Sequence, residues 1–172
     1  MIRRVAVCAE VGSRHEADAL LNNESAVVVR RGRPRSLVLK CPDGCGDTLT
    51  INLDDRAGKA WRLYAPSNGV FSLYPSVWRD DGCRAHFIIW NSTIYLLDRN
   101  DSPALPRATN TEHKILNALS DRPLSLDDLL SAIGGNPWEV RIACDALQHQ
   151  RKISATRTNN QTVYQLVTDP HR

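Results

Sequence analysis

The chain of 172 residues, 42% hydrophobic and 24% charged, is long enough for one ordinary domain or two small ones and too apolar to be globally disordered. Its formal net charge of +3 is too small to announce a nucleic-acid partner, and no apolar run reaches the length of a membrane span. The opening MIRRVAVCAEVGSRHE has Arg3 and Arg4 but no sustained apolar region or small-residue cleavage site, which points to a cytoplasmic protein with no membrane partner.

In chain order, HEADALLNN reads as a short helix closed by Asn22 and Asn23. A series of β-branched and aromatic runs follows, AVVVR, SLVLK, TLTINL, AWRLY, VFSLY and HFIIWNSTIYLL, each bounded by Gly, Pro, Asn or Asp. Residues 1–40 hold eight Lys/Arg against four Asp/Glu, and the excess sits largely in RRGRPR, Arg30 to Arg35. A solvated basic turn around Gly32 and Pro34 is the plain reading, and attraction of an acidic partner or phosphate is the sharper one. From Asp98 to Glu112 the composition is that of a linker.

Beyond it the period becomes helical. Ile115, Leu116 and Leu119 mark a first helix. Ser125 is a natural N-cap with Asp128 at N3, and Leu129, Leu130 and Ile133 share one face until Gly134-Gly135 stops the helix. Asn136, Pro137 and Glu139 open a third helix with Val140, Ala143, Cys144 and Leu147 as its buried stripe. KISAT and TVYQLV are two strands, with Asn159-Asn160 suited to a tight turn between them. This order resembles a winged helix-turn-helix domain. In that family the third helix and the wing meet the partner, which here draws attention to Trp138, Arg141, Arg151, Lys152 and Arg157. A net charge of about +1 for this part is weak for phosphate-driven binding, so a protein partner or homodimer competes with DNA.

Five cysteines in a reducing compartment argue against a disulfide framework. Cys8 and Cys144 stand alone in apolar company and read as small buried hydrophobes. The other three form CPDGCGD and GCRAHF, two short-spaced groups whose Gly and Pro residues suit tight ligand knuckles. Cys41, Cys45, Cys83 and His86 are therefore candidate zinc ligands, and a closed set of this kind is structural. A second chemistry competes for the histidine. Ser76, ten residues upstream in LYPSVW, would need His86 as a base and a carboxylate such as Asp80, Asp81, Glu10 or Glu16 to orient it. One imidazole nitrogen cannot both bind metal and accept that proton.

VLKCPDGCGDTLTINL, WRL from Trp61, and FSLYPSVWRDDGCRAHFIIWNSTIYLL together resemble an uncharacterised bacterial domain family over about residues 20–97. Its pattern is roughly C-P-x-G-C-G, a tryptophan, P-S-[IV], then C-x-[SA]-H-[FY]-W-I. Many members carry a further cysteine where this chain has Asp43, and Ile88 replaces the tryptophan after H-[FY]. Members are often encoded beside ubiquitin-like proteins and their activating and conjugating enzymes. The resemblance implies a part in handling a ubiquitin-like protein, with Ser76 and His86 as the matching positions if that part is peptidase chemistry.

The sequence thus predicts an α+β chain: a small β-rich zinc-binding domain over 1–100, a linker over 101–110 and a winged helix-turn-helix domain over 111–168. The expected function is a zinc-binding accessory or adaptor protein whose partners are a ubiquitin-like protein or its conjugation enzymes. A peptidase working through Ser76 and His86 and a zinc-containing DNA-binding regulator are the alternatives.

Overall fold

The computed structural model describes residues 2–65, 69–97, 105–158 and 161–167, and it divides into two compact units, Met1–Pro103 and Ala104–Arg172. The architecture is mixed α+β, with several sheets and, among the described residues, four α-helices. None of these helices is long and apolar enough to cross a membrane.

The first unit contains β1 (Ile2–Arg4), β2 (Ala6–Val11), α1 (Arg14–Leu20), β3 (Ser25–Arg31), β4 (Arg33–Lys40), β5 (Thr48–Asn52), β6 (Arg62–Tyr64), β7 (Ser72–Trp78), β8 (His86–Trp90) and β9 (Thr93–Leu96). Two sheets result, ordered β2-β3-β4-β5 and β1-β9-β8-β7-β6. Every pairing is antiparallel except β2 with β3, whose parallel connection runs through α1. Ser13 caps that helix by accepting from the Glu16 amide.

Period-two alternation puts Ala26, Val28, Leu37, Leu39 and Ile51 of the first sheet into one cluster with Leu73, Val77, Phe87, Ile89 and Ile94 of the second. The alternate residues Val27, Val29 and Val38 pack instead with Ala17 of α1. β3 and β4 are therefore covered on both faces, which is why AVVVR and SLVLK read as nearly continuous apolar runs. Each fully buried side chain such as Phe87 or Leu37 contributes roughly 1.5–3 kcal/mol through burial.

No strand was expected ahead of AVVVR, yet β1 and β2 lie there. β1 is three residues long and pairs with β9 in one sheet, whereas β2 is an edge strand of the other. The chain changes sheets at Val5, which is 3% exposed and whose amide donates to Ser92 O.

The second unit holds α2 (Thr109–Ala118), β10 (Leu124–Ser125), α3 (Leu126–Ile133), α4 (Pro137–His149), β11 (Ile153–Thr158) and β12 (Gln161–Leu166), with sheet order β10-β12-β11. Ser125 and Asp128 form a reciprocal capping box, and Asn136 Oδ1 accepts from the Trp138 amide. Ile115, Leu119, Leu129, Val140, Ala143, Cys144 and Leu147 meet in one core. α2 begins at Thr109, inside the stretch that composition assigns to a linker; residues 98–104 of that stretch and the Asn159-Asn160 turn lie outside the described residues.

Candidate functional site

The loop after β4 folds back on itself. The Cys41 amide donates to Asp47 O at 2.8 Å, the Gly44 amide to Cys41 O, and the Cys45 amide to Asp43 Oδ1 at 2.9 Å. Gly44 and Gly46 both have φ of 89°, a left-handed conformation that glycine adopts without penalty, so the glycines of CPDGCGD are what let so short a loop return. The loop between β7 and β8 brings Cys83 against it, placing Cys83 Sγ 3.6 Å from Cys41 Sγ across 42 residues of sequence.

Cys41, Asp43, Cys45 and Cys83 present ligand atoms that all lie within 4.8 Å of one another and could hold a metal ion. The geometry suits a tetrahedral ion: two thiolates bound at about 2.3 Å to the same centre would stand roughly 3.8 Å apart. Burial pushes the Cys41 thiol up to about 12, so a metal would have to displace its proton. The Cys83 thiol and the Cys45 amide, both donating to Asp43, hold that carboxyl well below the usual range.

His86 lies outside this group. The sequence reading gave it the fourth ligand position, and the structure offers Asp43 there. The reason is strand geometry: His86 opens β8 as the cross-strand partner of Trp78, and its ring stacks on that indole at 5.0 Å and 20°. Cys83 belongs to the preceding loop and packs against the core between the sheets. Burial lowers the imidazole's proton affinity, favouring the neutral ring.

Ser76 lies on β7, the strand that pairs with the His86 strand. Along β7, Val77 points into the core, and half-buried Ser76 and exposed Trp78 flank it on the opposite face. With Val77 opposite Phe87 and Trp78 opposite His86, Ser76 lies two residues before the cross-strand partner of His86. Ser76 itself belongs to the bulged segment between Leu73 and Val77, and Trp61 Nε1 holds that segment by donating to Ser76 O at 3.1 Å.

Among the described residues, no carboxylate hydrogen-bonds to His86. Of the expected orienting acids, Glu10 pairs with Arg30, Glu16 with Ser13 and Asp81 with Arg79, while Asp80 is exposed.

Sequence reasoning missed two participants, Asp43 and Arg79. Asp43 sits where the family pattern offers a further cysteine, a signal that was available. Arg79 approaches three thiols across four to 38 residues, and nothing local announces that.

Other expectations resolve more simply. In the basic hairpin Arg30 binds Glu10 and Arg35 pairs with the buried Asp54, so two of its four arginines meet a carboxylate, while Arg31 donates to Gly12 O. Cys8 is exposed rather than buried, because edge strand β2 turns it outward; Cys144 is fully buried, which pushes its thiol up to about 12. On α4 Trp138 is 8% exposed, against its expected outward position, whereas Arg141, Arg151, Lys152 and Arg157 are exposed.

Residues 13–97, just under half of the chain, match the family described as "Bacterial ubiquitination-like system serine protease (BubE)". The match supports an association of this stretch with a bacterial ubiquitination-like system. No curated protein and no solved structure matches the chain.

Proposed function

We propose that the chain is a serine peptidase acting on a ubiquitin-like protein, with Ser76 as nucleophile, His86 as general base and a structural zinc held by Cys41, Asp43, Cys45 and Cys83. The observation that carries this reading is the completeness of the four-ligand group without His86. A histidine released from metal duty, whose neutral form burial favours and whose strand pairs with the one that carries Ser76, suits a base. The family match over residues 13–97 supports the same choice over the adaptor role.

In the proposed reaction Ser76 Oγ attacks the scissile carbonyl carbon as its proton passes to His86. The C–N bond then breaks and His86 returns the proton to the leaving amine. Water, deprotonated by the same imidazole, attacks the acyl carbon; the C–Oγ bond breaks, the acid leaves and His86 returns the proton to Ser76 Oγ. Trp78, stacked on the ring, restricts the plane of the imidazole. The zinc holds the β4–β5 and β7–β8 loops together.

The second unit we read as a winged helix that docks the partner, on the strength of its helix order and of β10 pairing with β12 beside β11.

The test combines a fluorophosphonate probe with cleavage of a C-terminally extended ubiquitin-like protein. Labelling at Ser76 is expected, and cleavage falls about a thousandfold or more in Ser76→Ala and His86→Ala. A Ser76→Ala protein that still cleaves at the wild-type rate refutes the assignment.

A further inference from the structure

The Arg79 side chain is only 13% exposed, although arginine is among the residues most often left in water. Its Nη1 lies 3.2 Å from Cys83 Sγ, 3.6 Å from Cys45 Sγ and 3.8 Å from Cys41 Sγ, so one guanidinium nitrogen faces all three sulfurs. The same nitrogen donates to Asp47 Oδ2 at 2.8 Å, and Nη2 donates to Asp81 Oδ1 at 3.1 Å. These two exposed carboxylates fix the fork over the cluster. Gly82 leaves the room: a Cβ there would meet Arg79 Nη2 at 2.9 Å.

Three thiolates and a carboxylate around a divalent ion carry two surplus negative charges, which a half-buried loop pair disfavours without a counter-charge. N–H groups donating to coordinated sulfur offset that charge and fix the ligands' orientation.

We propose that Arg79 is the built-in counter-cation of the metal centre, its Nη1 facing the cysteine sulfurs and setting the affinity for the ion. This rests on the metal part of the reading above and not on its peptidase part. Because Arg79 directly follows Trp78 in the chain, the same contact fixes the end of β7 that carries Ser76 and the indole stacked on His86.

The experiment titrates the full-length chain with Co²⁺, then measures Zn²⁺ affinity by chelator competition, in wild type, Arg79→Gln, Arg79→Met, Arg79→Lys and Cys83→Ser. Wild type should bind one Co²⁺ with a thiolate-to-metal charge-transfer band, and Cys83→Ser should lose most of that band. Arg79→Gln should bind Zn²⁺ about 10–100-fold more weakly with a shifted band, and Arg79→Lys should fall between. If Arg79→Gln does not fold, the charge-free Arg79→Met decides: weaker binding supports the role and wild-type binding overturns it. Unchanged affinity in Arg79→Gln also overturns it. A wild-type chain without a thiolate–Co²⁺ band removes the metal reading itself, while fluorophosphonate labelling of Ser76 reports separately on the peptidase.

Discussion

Burial lowers the proton affinity of His86 below the ordinary histidine value of 6.5, and the consequence for activity has a definite sign. A general base works only when neutral, so the acid limb of kcat/KM should have its midpoint below 6.5, where the ring is protonated. A pH–rate profile whose acid limb lies above that value would exclude His86 as the base. The same shift adds folding stability that is present above 6.5 and is lost as pH falls through the lowered value. At this scale much of the site could be read in advance. Cys41, Cys45 and Cys83 announce themselves through short spacings and turn-forming neighbours. Asp43 was hidden because an aspartate between proline and glycine is already explained as a turn residue. His86 was assigned to the metal because C-R-A-H has a familiar ligand spacing; only the pairing of β8 with β7 places its ring beside Trp78.

Among the elements, those with local chemical punctuation were legible. Ser125 with Asp128, Gly134, and Asn136 with Pro137 each mark a helix end through bonds that span a few residues. β1 and β2 were not, since their partners are distant in sequence and neither carries a strong apolar pattern of its own. The end of α4 holds an unusual choice. Arg151 adopts φ of 56°, its amide donates to Gln148 O, and the Lys152 amide donates to Leu147 O. This is a helix terminus at which glycine is the customary residue, and a side chain there costs roughly 1–2 kcal/mol. Arg151→Gly should therefore stabilise the second unit by roughly 0.5–1 kcal/mol once glycine's larger unfolded-state entropy is subtracted. Chemical denaturation followed by helical circular dichroism would show it as a raised midpoint; a lowered midpoint would mean that the arginine side chain does more for the fold than its backbone costs.

For the whole chain, charge separates the remaining readings of the winged-helix proposal. Residues 106–172 carry eight Lys/Arg against seven Asp/Glu, and Arg107 is tied to Glu112. Exposed Arg141, Arg151, Lys152 and Arg157 are too few to neutralise many phosphates. Duplex DNA should accordingly bind no tighter than the non-specific range, about 1–100 µM at physiological salt, and Arg141→Ala with Arg157→Ala should change that little. Nanomolar binding with a steep salt dependence would move the second unit to nucleic acid recognition.

The change of sheets at Val5 also bears on how the first unit is made. Ile2 pairs with Tyr95 and Arg4 with Thr93, so β1 joins its sheet only after β9 has been synthesised. Cys41 likewise waits 42 residues for Cys83. Such long-range closure is entropically expensive and slow, whereas the capped helices of the second unit are assembled from neighbours. Until Cys83 has been made, the nascent Cys41 and Cys45 thiols are open to oxidants and to any metal at hand, and it is the meeting of the two loops that gathers the three sulfurs.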